Sequence, residues 1–513
     1  MKSPILAATA TIALSLGLSR PALAVDGEPF IHDPSTVTLS DGKYFTFGTG
    51  GGGLISDDGW TWHTGAVRPG GGAAPDVLKI GDRYLVVYGA TGGGLAGGHN
   101  GRILTMWNKT LDPKSPGFKY SEAIVVASSD GIEDCDAIDP SLLLDPTDGR
   151  LWMSYGTYFG FIRLVELDPK TGKRVEGNEA LNIAIDCEAT DLLYRDGWYY
   201  LLGTHGTCCS GANSTYNIRV GRARKITGPY LDNMGMDMLK GGGKLVVAAS
   251  DRFIGPGHFG LMDLGDGVQK FSCHYEADLD RGGRSVLDIR PLLWKDGWPV
   301  AGDNFKAGTY AIQSERKGYA LELAVDPVPM PQARRGGPGG GRGGPGGGRG
   351  GPDGAAGAPA AAAPAPAPAP APVPVTPVPA QDVATISKNW PTGNIEVRIG
   401  DYIVRPHQKW SITPVADVGG YPGSPYFKIT IAGTDRALAA TADAELVTVP
   451  AFTGQPEQLW RIDQLIDGTY RVMPKAVPNS KETFALTAVG GSTPTLAKFD
   501  AKSDKARWTF KAP

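Results

Sequence analysis

Short apolar stretches broken by turn signals fill the first 300 residues, and no long run of apolar positions recurs at the 3.6-residue helical period. One pattern returns five times: a polar or charged residue leads a short apolar strand, a tight turn follows, and a second strand rich in aromatics comes back. The instances are HDPSTVTLSDGKYFTF, APDVLKIGDRYLVVY, AIDPSLLLDPTDGRLWMSY, EATDLLYRDGWYYLL and GHFGLMDLGDGVQKFSCHY. Their leading residues, Asp33, Asp76, Asp139, Glu188 and His258, are separated by 43, 63, 49 and 70 positions. The turns Asp41-Gly42, Gly81-Asp82, Asp148-Gly149, Asp196-Gly197 and Asp266-Gly267 supply the positive φ that two-residue hairpins need. Five four-stranded units in about 280 residues predict an all-β chain built on a five-bladed β-propeller. Each first strand then lines the axis, and the residue at its mouth points into one shared pocket.

Beyond residue 305 the pattern becomes threefold. GTYAIQSERKGYALEL, YFKITIAGTDRALAA and GTYRVMPKAVPNSKETFAL each pair an aromatic with an Ala-Leu step, and HQKWSI, EQLWRI and KARWTF supply tryptophan closers. Leu438 to Trp460 and Leu486 to Trp508 both span 22 positions, whereas Leu321 to Trp410 spans 89. The excess places a low-complexity Gly/Pro/Ala-rich insertion, residues 327–383, inside the first repeat. That composition cannot bury enough apolar surface to order itself, and disorder is expected. Threefold repeats with Gln-x-Trp closers resemble the ricin-type β-trefoil lectins, which implies a sugar-binding module over residues 306–513. In the third closer Ala506-Arg507-Trp508 departs from the pattern.

Residues 1–24, with Lys2, an apolar run and Ala-Leu-Ala before Val25, read as a signal peptide, so residues 25–305 form the propeller and the protein is expected to be secreted or periplasmic. Removing the two positive charges of that segment, Lys2 and Arg20, takes the formal charge from −3 to −5. A mildly acidic exported chain predicts no nucleic-acid and no membrane partner. The Arg-Gly-Gly repeats of the insertion accordingly read as a spacer, and a monomer is the expected state. The cysteines, Cys135, Cys187, Cys208, Cys209 and Cys273, fit no zinc spacing. Cys208 and Cys209 read as two buried thiols, with a disulfide between neighbours as the alternative.

Asp33, Asp139 and Glu188 lead blades one, three and four. Cleaving a glycosidic bond requires one protonated acid and one ionised carboxylate, and in inverting enzymes the pair stands roughly 6.5–9.5 Å apart. A third carboxylate raises the acid's pKa by like-charge repulsion. One Asp-Pro alone would read as a turn. Three acids and a histidine at matching repeat positions read as a site.

HDPSTV, AIDPSLLLD, YGTYFGFIRLVELDPKTGK, CCSGANSTYNIRVGRARKITGPY, GGRSVLDIRPLLWKDGWPV and GPGH resemble glycoside hydrolase family 43, most of all its arabinan endo-1,5-α-L-arabinosidases. The resemblance covers about Phe30 to Val300. It implies an endo-acting, inverting hydrolase of arabinan or a related plant cell-wall polysaccharide. Asp33 is implied as the base that activates water, Asp139 as the carboxylate that tunes and orients the acid, and Glu188 as the acid. His258 is similar to the axial histidine that holds a calcium ion, or a water cluster, below the site, through water because calcium prefers oxygen ligands. Alternatives are an exo-acting α-L-arabinofuranosidase or β-xylosidase, or a non-catalytic carbohydrate-binding protein. Three departures stand out: Ala73 where the family has an aromatic, Asp136 where it has Asn, and Ala189-Thr190 where it has Gly/Ala-Pro.

Overall fold

The computed structural model describes residues 25–90, 100–131, 134–316, 318–325 and 382–513. The expected signal peptide, almost all of the low-complexity insertion and the glycine-rich 91–99 stretch lie outside the described residues. Five sheets follow one another through residue 301, each built on four antiparallel strands in chain order, with Asp26–Gly27 added to the first as a fifth strand. Blade three, for instance, runs Ser141–Leu144, Leu151–Tyr155, Ile162–Leu167 and Leu181–Ala184. The hairpin turns differ in detail. Asp41-Gly42 and Asp196-Gly197 place both residues at positive φ, whereas Gly81 does so without Asp82, and blade three uses a longer loop closed by Gly149.

The ring closes through the segment that precedes blade one. Asp26–Gly27 lies parallel to the outer strand of blade one, while Phe30 bridges Val286 of blade five and Leu287 N–H donates to Pro29 O at 2.8 Å. One stretch of chain thereby ties the first blade to the last.

Near the axis the blades are stitched by buried carboxylates. Asp76 of blade two accepts from Thr36 N–H of blade one at 3.2 Å and from Leu142 N–H of blade three at 3.0 Å. Asp191 of blade four accepts from Ser141 Oγ of blade three at 2.9 Å and from the Leu261 peptide of blade five. At the blade-five seam the matching residue is Gly260, where a Cβ would come within 2.8 Å of Thr36 Cα.

The C-terminal strands form one ten-stranded sheet and two two-stranded ones around a single apolar core. Trp410, Trp460 and Trp508 are fully buried there, and their indole N–H groups donate to Leu321 O, Leu438 O and Leu486 O at 2.8, 3.0 and 2.8 Å. These are the Leu–Trp pairs that the spacing singled out. Tyr319–Leu323 pairs with Ile395–Asp401 across the insertion, so the run does interrupt one structural unit.

This unit packs on the propeller face away from the strand mouths. Gly423 N–H donates to Gly59 O, Gly420 N–H to Asp58, and Ile466 exchanges backbone hydrogen bonds with Gly267 and Trp294. A Cβ on Gly423 would lie 2.5 Å from Ile289 O, so the two surfaces meet at backbone contact. The buried Lys270 ammonium donates to Pro422 O, and burial pushes its pKa down to about 8 against the pull of Asp463. The Pro422 carbonyl offsets part of the cost of burying this cation between the two units.

Two outcomes follow. Asp76→Ala orphans two peptide donors, each costing about 1–3 kcal/mol, and should lower unfolding free energy in urea by about 2–6 kcal/mol. Ending the chain at residue 305 should lower the thermal midpoint of the propeller and promote aggregation. A truncated propeller as stable as the full chain would show that the docked face contributes nothing.

Candidate active site

At each strand mouth the backbone turns through a left-handed residue before the strand proper. These residues are Asp33, Ala74, Asp139, Ala189 and His258, with φ of 52°, 44°, 54°, 45° and 55°. In blades two, four and five the register slips there, between Ala73 and Asp76, Glu188 and Asp191, and Gly257 and Gly260. The extra residues form a bulge that re-aims the side chains beside it.

This corrects the matching of the repeats. Asp33, Asp139 and His258 are equivalent, but blade two places Ala74 at that position and blade four places Ala189. Glu188 stands one residue earlier, level with His32, and Asp76 two residues after Ala74, which is why it turns to the blade seams. Alignment on the prolines after Asp33, Ala74 and Asp139 would have found this.

Asp33, Asp139, Glu188 and His258 line one cavity of about 560 Å³. One wall is glycine and alanine, namely Gly50, Gly72, Ala73, Gly89 and Gly101; the other carries Phe159, Cys208, Cys209 and Tyr216. Ala73, one of the departures noted in the sequence, thus stands on the small-residue wall. Asp136 also lines the cavity and accepts from Thr157 Oγ1 at 2.5 Å. Cys208 and Cys209 are joined by a disulfide at the rim, half-buried and exposed respectively, so the expectation of two buried thiols is overturned. Cys135, Cys187 and Cys273 are buried.

Sequence reasoning missed the residues that surround Asp33. His32 Nδ1 lies 2.8 Å from Asp33 Oδ1, and its Nε2 lies 3.0 Å from Glu276 Oε1. Thr49 Oγ1 donates to Asp33 Oδ2 at 2.5 Å, and Asp33 N–H donates to His274 Nδ1 at 3.0 Å. The quoted HDP motif contains His32, but the spacing gave no sign that Glu276, 244 positions away, would meet it.

The charges alternate. Burial alone would lower the His32 pKa, yet Asp33 and Glu276 outweigh it and push it up to about 10. Burial would likewise raise Asp33, but the facing His258 and His32 hold it far below the usual carboxylate range. Since burial keeps His258 down at about 4, the standing positive charge beside Asp33 at neutral pH is His32. Glu276 is also held down, its burial being outweighed by His274 and His32.

Glu188 is opposite in character. Burial raises it to about 8, assisted by the charges of Asp33 and Glu276 and opposed by the Tyr216 hydroxyl that donates to it. Burial, then repulsion from Glu188 and Asp33, raises Asp139 well above its ordinary value. An ionised Asp33 and a protonated Glu188 therefore share the cavity.

His258 Nδ1 is 3.3 Å from Asp33 Oδ1, and neither imidazole nitrogen has a hydrogen-bond partner among the described residues. Beneath it a void of about 20 Å³ is lined by His258, Asp76, Asp139 and Thr190, about the room of one water. A buried neutral imidazole with an open lone pair fits a water, or a calcium ion reached through water.

A five-bladed ring with two classes of carboxylate facing across one cavity defines a glycoside-cleaving site. Residues 31–299 match Glycosyl hydrolases family 43, and the chain belongs to that family. It is similar to the extracellular endo-α-(1→5)-L-arabinanase 1 of Bacillus subtilis, 34% identical over 230 residues, covering 44% of this chain and 67% of that protein. It is similar also to the extracellular exo-α-(1→5)-L-arabinofuranosidase ArbA of Cellvibrio japonicus, at 32% over 244 residues, covering 44% and 68%. A probable arabinan endo-1,5-α-L-arabinosidase A of Aspergillus flavus is 29% identical over 306 residues, covering 54% and 92%.

Glu188's raised pKa has a stability consequence. Between its ordinary 4.5 and about 8 the folded chain keeps a proton that the unfolded chain has released, so Glu188 costs stability as pH rises through that window. The thermal-stability margin of Glu188→Gln over wild type should grow from pH 4.5 to 8 and then level off. A margin flat across this range would contradict the protonated assignment.

Proposed function

We propose that this protein is a secreted, inverting, endo-acting hydrolase of α-1,5-linked arabinofuranosyl bonds in arabinan. The observation that carries the reading is the single cavity in which Asp33 is held ionised while Glu188 holds its proton. Asp33 accepts a proton from a water as that water attacks the anomeric carbon. Glu188 delivers its proton to the departing glycosidic oxygen. Asp139, buried beside Glu188 and Asp33 and raised by both, is the neighbouring carboxyl that orients the acid. His32 holds Asp33 in its basic form and fixes its orientation.

His258 is the residue that would hold a calcium ion through water, and the ion would supply positive charge beneath the carboxylates. The glycine-lined wall favours an open groove, and the arabinan-directed names of the relatives favour the polymer. An exo-acting reading is kept because one similar protein is named an exo-arabinofuranosidase. Residues 1–24 act as the export signal, and residues 306–513 form a ricin-like β-trefoil, supported by the three Trp–Leu hydrogen bonds, that holds the enzyme on insoluble polymer.

Glu188→Gln should lower kcat on arabinan by about 10²–10⁴-fold. Activated aryl arabinofuranosides, whose leaving group needs no proton, should be largely spared in this variant and lost in Asp33→Asn. Equal losses on both substrates would remove Glu188 as the acid. Product sizing separates the modes of action: mixed oligomers first support endo cleavage, and monomer alone from the start excludes it. No turnover by wild type on any arabinan, arabinoxylan or aryl furanoside would leave a binding protein.

A further inference from the structure

The link between strands Trp198–His205 and Asn217–Ala223 of blade four carries a feature that the proposed hydrolysis does not use. Its Cys208–Cys209 disulfide stands on the cavity rim. Cys209 has φ of 61°, and its peptide N–H donates to Glu276 Oε1 at 3.2 Å. The Cys208 peptide N–H faces the Tyr158 hydroxyl instead. Two successive peptides thus point in different directions, and the disulfide closes a small ring around the bond between them.

The Glu276 oxygen that receives Cys209 N–H is the one that meets His32 Nε2 at 3.0 Å and lies 3.6 Å from His274 Nε2. His32 Nδ1 in turn lies 2.8 Å from Asp33. A continuous line of polar contacts runs from the rim to Asp33. The link is exposed at Gly206, Thr207, Ala212 and Asn213; Ser214 Oγ ties Thr207 O and Ser210 Oγ ties Cys208 O, so Cys209 is held by the turn around it while its own side chain stays exposed. A peptide N–H on exposed chain holds a buried carboxylate in one place only if its own rotation is restricted.

We propose that the Cys208–Cys209 disulfide is a positioning element for Asp33: it fixes Cys209 N–H against Glu276, Glu276 orients His32, and His32 holds Asp33. This rests on reading Asp33 as the base. Asp33 is the member of the line that meets the attacking water, so the effect reaches the reaction through the geometry of that carboxylate. The same link continues into Tyr216, whose hydroxyl donates to Glu188, so one loop braces both sides of the cavity.

A dithiol reagent such as dithiothreitol opens the bond by exchange. Its two thiols become a cyclic disulfide while Cys208 and Cys209 each gain a hydrogen, a balanced two-electron transfer. Cys135, Cys187 and Cys273 are buried, so the full-length folded protein should gain two alkylatable thiols, counted by mass spectrometry. The test compares untreated, reduced and reoxidised full-length protein on arabinan, alongside the Cys208→Ser/Cys209→Ser double variant and Glu276→Ala. Reduction should lower kcat about tenfold to a hundredfold, the range that misplacing a reacting group produces, while KM stays within about twofold. Reoxidation should restore kcat in wild type and have no effect on the double variant. Reducing Glu276→Ala should add no further loss, because the two act in one line.

Unchanged kcat on reduction would overturn the proposal. So would a raised KM with kcat kept, which would make the disulfide a sugar-contacting wall, and so would losses that add in Glu276→Ala. An untreated protein without turnover would instead remove the hydrolase reading, and this inference with it.

Discussion

Five segments of chain reach one axis, and each must turn through a left-handed backbone before its strand begins. That constraint governs the rest. For a residue other than glycine the left-handed region is unfavourable, and it persists only where the surroundings enforce it. Here the enforcement comes from the ring: Asp76 and Asp191 accept peptide and hydroxyl donors from the blades on either side, so no strand mouth can relax alone. The side chains at and beside the left-handed residue are thereby aimed into the cavity. Aspartate tolerates this backbone better than most residues, which suits Asp33 and Asp139 to these positions.

Once the carboxylates are gathered, their ionisation is set by what stands next to each. Asp33 sits against the imidazolium of His32, which Glu276 keeps charged; Glu188 is buried with a tyrosine hydroxyl and two nearby negative charges. Two carboxylates in one cavity acquire opposite protonation states without any difference in their own chemistry. Division of labour between acid and base arises from the neighbours.

Much of this was legible in the sequence. Hairpins recurring with Gly- and Asp-rich turns fixed the blades, and the 22-residue Leu–Trp spacing picked out pairs that are joined by indole hydrogen bonds. The cavity residues Asp33, Asp139, Glu188 and His258 were all visible as strand-leading polar groups. What could not be read was register at the mouths, because a bulge shifts the count by one or two residues and leaves no mark except the aligned prolines. Glu276 and Asp191 were also hidden, since acids within strands look like any polar position until the ring brings partners to them. Adjacent cysteines carry no spacing information, and Cys208–Cys209 was misread for that reason.

The second unit shares its burden with the propeller: its loops close over Lys270 and the blade-one turn at Gly59, on the face opposite the cavity. The cavity and the docked unit thus lie at opposite ends of one body, and the carboxylates of the cavity are carried by the strand mouths. The configuration of the first product tests that chemistry most directly. Proton NMR on wild-type enzyme within the first minutes of arabinan hydrolysis should show the new reducing end as the β-anomer, since water activated by Asp33 attacks opposite the departing oxygen. Appearance of the α-anomer first would require a carboxylate nucleophile and would contradict the account.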